Sequence, residues 1–257
     1  MRFAFGKNWQ AYVSNVLTPD KVNQARNAFK KLFDGIDFPG KSFLDIGFGQ
    51  GLSLCIAQEM GAAVFGIDID EDNIAALKKT VTLFGSCEIP KIRMASILDQ
   101  VFIQEQLQHG QFDIVHAWGV LHHTGNLLQA LENSIAFVKE GGYLVVAIYN
   151  KHWSSPLWRG IKWIYNVSPG LIQKWLILLF YPIIYAAKWL VIQENPVKKD
   201  RGMDFFYNII DWVGGYPYEY ASISEIRKRV CQKKFQCLRV IPAQVPTGCN
   251  QFVFKKQ

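Results

Sequence analysis

The sequence predicts a doubly wound α/β fold, in which helices cover both faces of a mostly parallel β-sheet. Short apolar runs alternate with longer amphipathic stretches along the first 150 residues. The runs are apolar at successive positions, which is typical of parallel strands buried on both faces. The repeated order of strand and helix favours the same class. The chain has 257 residues and is 50% hydrophobic, which is enough to bury one large core.

Five apolar runs are the predicted strands of this core. They are SFLDIG (42–47), AAVFGID (62–68), KIRMAS (91–96), FDIVHAWG (112–119) and GYLVVAIY (142–149). Two helices are predicted from apolar stripes with helical spacing, which consist of Leu52, Cys55, Ile56 and Met60, and of Ile74, Leu77 and Val81. Asp70 is expected to cap the second helix, and Gly61 and Gly85 are expected to end the two helices.

The alternation stops after residue 150, where an aromatic-rich segment without a strand pattern begins. It resumes with a predicted helix near Ile223 to Lys233 and two apolar runs, FQCLRVIP and QFVFKK, which are separated by turn residues and predict an antiparallel hairpin. We therefore divide the chain into an N-terminal helical cap with a helix over 19–33, a ligand-binding core, a helical insertion, and a closing helix and hairpin. Their bounds are 1–40, 41–150, 151–215 and 216–257.

A glycine-rich loop directly follows the first predicted strand, where ligands of parallel α/β sheets bind. Its pattern is Asp45, Gly47, Gly49 and Gly51 at alternate positions. Leu52 stands where a dinucleotide fingerprint requires glycine, and the Gly-Lys-Ser/Thr ending of a triphosphate-binding loop is absent. The glycines let a ligand approach the backbone, Asp45 can face an ammonium group, and Asp68 can accept two ribose hydroxyl hydrogens. This pattern indicates a ligand with a cationic amino-acid end and an uncharged ribose.

At these residues the chain resembles the class I S-adenosylmethionine-dependent methyltransferases, and within them the small-molecule branch of ubiquinone and menaquinone biosynthesis. The motifs are LDIGFGQG, VFGIDID, FDIVHAWGVLHHTGN and VKEGGYLVVAIYN, in that order. The resemblance covers about residues 40–150, and residues 216–257 more loosely. It implies a Rossmann-like, seven-stranded, mostly parallel sheet with a C-terminal antiparallel hairpin, and S-adenosyl-L-methionine as the cofactor.

The resemblance also implies a set of cofactor-binding residues. They are Asp45, Gly47, Phe48, Gly49, Gly51, Asp68, Ile69, Ser96, Ile97 and Trp118. Two positions depart from the family pattern. Phe48 replaces the usual small residue, and Ser96 stands where many relatives carry an acidic residue for the adenine amino group.

Methyl transfer to oxygen or nitrogen requires the acceptor to be positioned and a proton to be removed. We expect His123 or His152 to act as that base, with Tyr149 as a third candidate. The alternative is structural: one histidine of the pair His122 and His123 caps the next helix and the other is packed in the core. No metal site is predicted, because the five histidines lack carboxylates at ligand spacing and the five cysteines are scattered.

Residues 153–189 of the insertion carry five of the eight tryptophans, and the basic residues of 151–200 account for most of the net charge of +7. Thirteen uncharged residues separate Lys174 from Lys188. A membrane-spanning helix needs about 20 apolar residues, and Pro182 is expected to interrupt this segment, so we predict that it does not cross a membrane. Residues 153–189 then suit a lid over a lipophilic acceptor, a peripheral membrane contact, a homodimer contact or simple packing.

These observations predict methylation of a small, lipophilic or ring-containing acceptor, most directly at a hydroxyl oxygen. Nucleic-acid methylation is disfavoured, because the N-P-P-Y and D-P-P-Y motifs, a catalytic Pro-Cys pair and an RNA-binding module are all absent. Protein methylation and a non-catalytic, cofactor-binding scaffold remain alternatives. The N-terminus lacks the pattern of a secretory leader, so we expect a cytoplasmic protein, with membrane association left open.

Overall fold

The computed structural model describes residues 3–85, 88–197 and 204–257. Within them the strands form one seven-stranded sheet in the order β3-β2-β1-β4-β5-β7-β6. The strands are β1 Ser42–Ile46, β2 Ala63–Asp68, β3 Lys91–Met94, β4 Phe112–Trp118, β5 Val138–Tyr149, β6 Phe235–Ile241 and β7 Cys249–Lys256. The strands β1 to β5 pair in parallel, and β7 pairs antiparallel with both β5 and β6. The predicted mostly parallel sheet and its C-terminal hairpin are therefore confirmed.

Ten α-helices connect and cover these strands in the described part of the chain. They are α1 Phe5–Asn15, α2 Pro19–Leu32, α3 Leu52–Glu59, α4 Asp72–Phe84, α5 Gln100–His109, α6 Leu127–Ala136, α7 Ser155–Val167, α8 Gly170–Ile192, α9 Phe205–Gly214 and α10 Ile223–Cys231. The helices predicted from the two apolar stripes are α3 and α4, and both lie where the spacing placed them. The N-cap residue of α4 is Glu71, one residue after the predicted Asp70, although an Asp70 oxygen accepts the backbone N–H of Asp72 (3.1 Å). As expected, Gly85 follows the last residue of α4.

Helices pack on both faces of the sheet, which is the doubly wound arrangement. On one face α1 to α4 contribute buried side chains such as Phe29 and Leu54 to a shared apolar cluster. On the other face α5, α6 and α10 contribute Phe102, Leu131 and Ile226. The strand side chains between these layers are almost fully buried, which explains why their sequences are apolar at successive positions.

The insertion between β5 and α10 consists of α7, α8 and α9, which form a third, separate apolar cluster around Phe205 and Ile209. The prediction that Pro182 interrupts the apolar segment is wrong, because α8 continues through it for 23 residues. A proline removes one helical hydrogen bond, and the backbone hydrogen bonds of the residues on either side of Pro182 continue the helix. By length and apolar composition the stretch Gly170–Val191 could cross a membrane, and only 11% of its most apolar window is buried.

Candidate functional site

A cavity of about 1200 Å³ lies at the carboxyl ends of the parallel strands. Its walls come from the loop after β1, the ends of β2, β4 and β5, the helices α1 and α2, the insertion, and the β6–β7 hairpin. The sheet order brings these segments together because the order of the parallel strands switches between β1 and β4, so that the connections on either side lead away from each other and leave a crevice at the strand ends. Of the predicted site residues, all except Gly51 line this cavity.

The three glycines of the loop have positive φ angles of 71°, 52° and 79°, so the loop depends on residues without a side chain. A Cβ on Gly47 would lie 2.5 Å from both methyl carbons of Val120, and one on Gly49 would lie 3.3 Å from Nε1 of Trp9. Gly51 differs, because it is the N-cap residue of α3 and a Cβ there would overlap Cδ1 of Leu77. Packing beneath the loop therefore requires a glycine at this position, and the contact of Gly51 with the ligand stays a prediction.

Asp68 ends β2 as a buried carboxylate that faces both the glycine loop and the cavity. Its oxygens accept the backbone N–H groups of Gly49 (3.0 Å), Ile69 (2.7 Å) and Asp70 (3.0 Å). Burial raises the pKa of Asp68, while these hydrogen bonds and the Asn73 side chain act in the opposite direction. The same N–H groups fix the orientation of the carboxylate at the edge of the cavity.

Asn73 was not identified from the sequence. Its Oδ1 atom is buried, has no hydrogen-bond partner in the structure, and belongs to a residue that lines the cavity beside Asp68. A buried acceptor without a partner is costly, and a bound ligand with hydroxyl groups would satisfy it. The pair Asp68 and Asn73 therefore fits a ribose.

Asp45 is already paired inside the protein. Its Oδ1 atom lies 2.7 Å from Nδ1 of His116 on the adjacent strand β4, and both side chains are buried. Both residues also line the cavity, so Asp45 keeps its predicted position near the glycine loop. The sequence gave no indication of His116 as its partner, because the contact depends on β1 and β4 being neighbours in the sheet.

The remaining predicted cofactor residues line the same cavity. Ser96 and Ile97 follow β3, and the Ser96 hydroxyl accepts the backbone N–H of Leu98 (3.1 Å). Phe48 packs almost fully buried in the core below the loop, while Ile69 is 40% exposed at the edge. Trp118 ends β4. The aromatic and aliphatic surfaces here suit a flat, weakly polar ring.

The two adjacent histidines have different environments. The His122 ring is buried, and its Nδ1 atom accepts the backbone N–H of Tyr149 (3.3 Å). Burial, together with nearby His123 and Lys162, holds the pKa of His122 well below its usual value, so it is neutral. The predicted core role therefore belongs to His122. The predicted helix-capping role belongs to neither histidine, because the Asn126 side chain caps α6.

The His123 ring faces the cavity, and its Nδ1 atom lies 2.6 Å from the carbonyl oxygen of Pro217. A carbonyl only accepts, so Nδ1 carries the proton and Nε2 carries the lone pair of the neutral ring. His152 also lines the cavity, with Nδ1 2.8 Å from the Ser154 hydroxyl. Burial raises the pKa of Tyr149 well above its usual value, so this phenol keeps its proton and acts as a donor.

A buried lysine and aspartate lie next to the histidines, and the sequence did not identify them as a pair. Lys162 on α7 has no exposed surface, donates to the carbonyl oxygen of Trp212, and lies 4.8 Å from the ring centre of Tyr218. Asp211 on α9 lines the cavity, and its Oδ1 atom accepts the Asn8 side-chain N–H (2.6 Å). Burial lowers the pKa of Lys162 to about 7 and raises the pKa of Asp211 to about 7.

Helix α1 covers the cavity from the side of the glycine loop. Its first residues are held by Asp70, whose Oδ2 atom accepts the Gly6 backbone N–H (2.8 Å). Farther along, the Gln10 side chain donates to the carbonyl oxygen of Asp72 (2.9 Å), and Asn8 reaches Asp211. The predicted N-terminal cap thus connects the second strand with the insertion.

The insertion supplies the apolar wall opposite the glycine loop. The wall residues include Trp158, Ile183, Ile184, Ala187, Val191, Ile209 and Trp212. Trp158 and Trp212 are in ring contact, with centres 3.9 Å apart. One cavity therefore joins a polar end, which fits a nucleoside, to an apolar aromatic end. No group of three or more metal-ligating side chains occurs among residues 3–85, 88–197 and 204–257.

Comparison with known proteins agrees with this geometry. A family model described as "Methyltransferase domain" matches residues 20–180. A ubiquinone biosynthesis O-methyltransferase of Rhodopseudomonas palustris (strain TIE-1) is 34% identical over 116 residues, which are 45% of this chain and 43% of that relative. The corresponding protein of Bradyrhizobium sp. (strain ORS 278) is also 34% identical over the same share. The match thus spans less than half the length of these curated relatives.

Solved structures resemble the fold over nearly the whole chain. Magnesium protoporphyrin IX methyltransferase from Synechocystis PCC 6803, crystallised with S-adenosylhomocysteine, has a TM-score of 0.55 at 15% identity and covers 93% of this chain and 83% of its own. An O-methyltransferase family protein from Burkholderia thailandensis has a TM-score of 0.56 at 13% identity, covering 92% and 57%. At these identities the likeness establishes the fold alone.

Proposed function

Because the chain belongs to the methyltransferase domain family, we propose that it transfers the methyl group of S-adenosyl-L-methionine to a hydroxyl oxygen of a small, lipophilic acceptor. The resemblance to class I S-adenosylmethionine-dependent methyltransferases, seen first in the glycine loop, is confirmed. One observation carries the proposal: a single cavity contains the glycine loop and Asp68 at one end, and His123 and the Trp158–Trp212 wall at the other.

The cofactor half of the proposal rests on the groups around Asp68. Asp68 and Asn73 would hold the ribose hydroxyls, and the backbone at Gly47 and Gly49 would lie against the ligand. Ser96, Ile97 and Ile69 would surround the adenine, with Trp118 and Phe48 nearby. The Asp45–His116 pair would face the amino-acid end. When bound, S-adenosylmethionine supplies a methyl group on a positively charged sulfur, which needs positioning more than activation.

Asp68→Ala tests the cofactor half. We expect wild-type protein to bind S-adenosylmethionine and S-adenosylhomocysteine in calorimetric titrations, and Asp68→Ala to bind each at least about tenfold more weakly, a loss of roughly 1.4 kcal/mol. Asp113→Ala is the matched control, because Asp113 is a carboxylate at the opposite end of the sheet that accepts from Ser42. Undetectable binding by the wild type would leave the cofactor proposal without support.

We propose His123 as the base of the acceptor half. The hydrogen bond from Nδ1 to the carbonyl oxygen of Pro217 orients the ring. Nε2 would then receive the proton that the acceptor hydroxyl loses as its oxygen bonds to the methyl carbon. The bound cofactor would supply the methyl carbon, and the electron pair of its carbon–sulfur bond would stay on sulfur. His152 is the second candidate for this proton, because it lines the cavity and its ring is also oriented by a hydrogen bond.

His123→Gln and His152→Gln distinguish the two histidines. Removing a general base lowers the chemical rate by typically about 10²–10⁴-fold, so we expect that loss in kcat for His123→Gln with unchanged affinity for S-adenosylhomocysteine. The assay follows methyl transfer to a panel of phenols, quinols and hydroxylated lipids. A large loss for His152→Gln alone would move the assignment to His152, and full activity of both variants would reject both.

The lipophilic nature of the acceptor rests on the wall built by α7, α8 and α9. Aliphatic and tryptophan side chains form a large part of this end of the cavity, and the relatives from ubiquinone biosynthesis are O-methyltransferases. A lipophilic acceptor partitions into membranes, so the proposal includes contact with a membrane surface during the reaction cycle. Nucleic-acid and protein methylation, and a scaffold that binds the cofactor without turnover, are the competing functions. The same assay tests these alternatives when RNA or protein replaces the small acceptors. Transfer to RNA or protein would favour those functions, and no transfer to any acceptor would favour the scaffold.

A further inference from the structure

The outer surface of α7 and α8 exposes an unusual concentration of large apolar side chains. Those at least 47% exposed are Trp153, Leu157, Trp163, Ile164, Val167, Leu171, Ile172, Trp175, Leu178, Leu179, Ile183, Trp189, Leu190 and Val191. Trp153 is 83% exposed and Trp175 is 66% exposed. A contiguous apolar surface of this size is rare on a monomeric protein and marks an interaction site. We call these residues the α7–α8 patch.

The patch is not the inward face of the insertion. The inner stripe of α8 contains Ile177 and Ile184, each 7% exposed, which belong with Phe205 and Ile209 to the apolar cluster of the insertion. This stripe already gives α8 its contact with α9. The remaining circumference of α8 is apolar as well, and the described residues leave it uncovered. Packing within the insertion therefore does not explain its composition.

The charged side chains within the patch segment are all basic. The sequence contains no aspartate or glutamate between Lys151 and Gln193, whereas Arg159 and Lys174 are exposed there, and the exposed Lys151 is paired with Glu225 (2.9 Å). Tryptophan and lysine together are typical of surfaces in the headgroup region of a bilayer, where an aromatic ring is partly buried and a cation meets lipid phosphate. A second copy of this chain would instead bring cations against cations.

We propose that the α7–α8 patch docks on an anionic lipid bilayer, with α7 and α8 lying in the interface plane. A spanning α8 is the less consistent arrangement, because crossing the bilayer would take its inner stripe away from Phe205 and Ile209. In the interface plane α8 keeps that contact and still buries its outer side chains in lipid. The exposed Arg159 and Lys174 would then meet the lipid phosphates.

The docking surface is continuous with the cavity. Ile184, Ala187 and Val191 of α8 line the cavity, and Val191 also belongs to the patch. A lipophilic molecule in the leaflet that the patch contacts would therefore meet the same helix that forms the acceptor wall. This second step, delivery of the acceptor from the bilayer, rests on the proposed function, whereas docking itself does not.

Vesicle flotation tests the docking. The probe is a vesicle of 30% phosphatidylglycerol and 70% phosphatidylcholine, compared with pure phosphatidylcholine. We expect the wild type to float with the anionic vesicles, and the combined Leu171→Ser, Trp175→Ser, Leu178→Ser variant to bind at least about tenfold more weakly, because apolar burial drives interfacial binding. The matched control is Ile89→Ser, Val101→Ser, Leu238→Ser, which removes three exposed apolar side chains elsewhere and should float like the wild type.

A charge-reversal pair tests the electrostatic part. We expect Arg159→Glu, Lys174→Glu to lose most binding to anionic vesicles, and the wild type to lose it as salt is raised, since each cation near a charged surface contributes about 1 kcal/mol at low salt. Lys30→Glu, Lys228→Glu makes the same charge change at exposed sites outside the patch and should retain binding.

Several results would overturn the docking proposal. The first two are a wild type that fails to float and patch and control variants that float equally. A wild type that stays with membranes after alkaline carbonate extraction would span them. A protein that sediments as a dimer, and that the patch substitutions convert to a monomer without changing flotation, would make the patch a dimer contact. Calorimetry with S-adenosylhomocysteine on every variant checks folding. It also separates the two proposals, because flotation without cofactor binding removes the proposed function and keeps the docking.

Discussion

Lys162 and Asp211 are ionisable side chains whose burial opposes their usual charges at neutral pH. Burial is the largest influence on both: it moves the pKa of Lys162 down to about 7 and the pKa of Asp211 up to about 7. Each charge partly supports the other, and Asn8 supports the carboxylate. The two residues connect α7, α9 and α1 at the wall of the cavity, so their protonation bears on the folding free energy.

The pH dependence of stability follows from these directions. Between pH 7 and the ordinary lysine pKa of 10.5, the unfolded chain binds a proton at Lys162 that the folded protein does not, so stability rises with pH. Between the ordinary aspartate pKa of 3.8 and pH 7, the folded protein binds a proton at Asp211 that the unfolded chain does not, so stability falls with rising pH. These two residues alone would thus give a minimum of stability near neutral pH.

We predict that Lys162→Met removes the rise above pH 7. The measurement is the free energy of unfolding in urea at pH 7 and pH 9. From the lower to the higher pH, this free energy should rise by about 2 kcal/mol more for the wild type than for Lys162→Met, since one pH unit corresponds to about 1.4 kcal/mol for each proton that only the unfolded chain binds. Lys174→Met, which removes an exposed lysine of α8, is the control and should parallel the wild type. Parallel curves for wild type and Lys162→Met would contradict the prediction.

At the scale of single elements, the start of α3 shows how one residue fixes a helix beneath the ligand loop. Gly51 has a φ of 79°, is the N-cap residue of α3, and lies against Leu77 of α4. The missing side chain therefore serves both the left-handed backbone and the close packing of α3 on α4. Neither role requires contact with the ligand.

Gly51→Ala is expected to destabilise the protein by roughly 2–4 kcal/mol, from the left-handed backbone and the overlap with Leu77. Gly35→Ala is the matched control, because Gly35 has a φ of 78° and no atom within 4 Å of a Cβ placed there. Chemical denaturation should give about 1–2 kcal/mol for the control, from the backbone alone. Equal losses for both variants would mean that Leu77 moves aside without cost.

The helix α8 is longer than the sequence predicted. From the sequence, Pro182 and the lysines on either side indicated a short segment, but the structure extends it to 23 residues. Proline is a strong local signal against a helix, and here the contacts of the inner stripe with α9 maintain the helix on both sides of it. The full apolar length, and with it the α7–α8 patch, follows from tertiary contacts.

At the scale of the whole molecule, the positive charge and the apolar surface coincide. Seven lysines and arginines stand against two acidic residues in residues 151–200, and the same segment holds the exposed apolar side chains. Among the described residues of this segment, the exposed basic side chains are Lys151, Arg159 and Lys174, whereas Lys162 is buried. This distribution favours an anionic lipid surface over a nucleic acid, whose binding sites are typically stripes of charge with few exposed aliphatic residues.

The sequence by itself determined the strands, the glycine loop and Asp68, because these depend on local patterns: period, turn residues and the motif at a strand end. Only the tertiary structure decided the Asp45–His116 pair, the unsatisfied Oδ1 of Asn73 and the burial of Lys162. Such contacts join residues far apart in the chain, and a helical residue becomes buried or exposed according to which face of its helix meets a neighbour. The same reason explains why tryptophans of one segment divide between the cavity wall and the exposed patch.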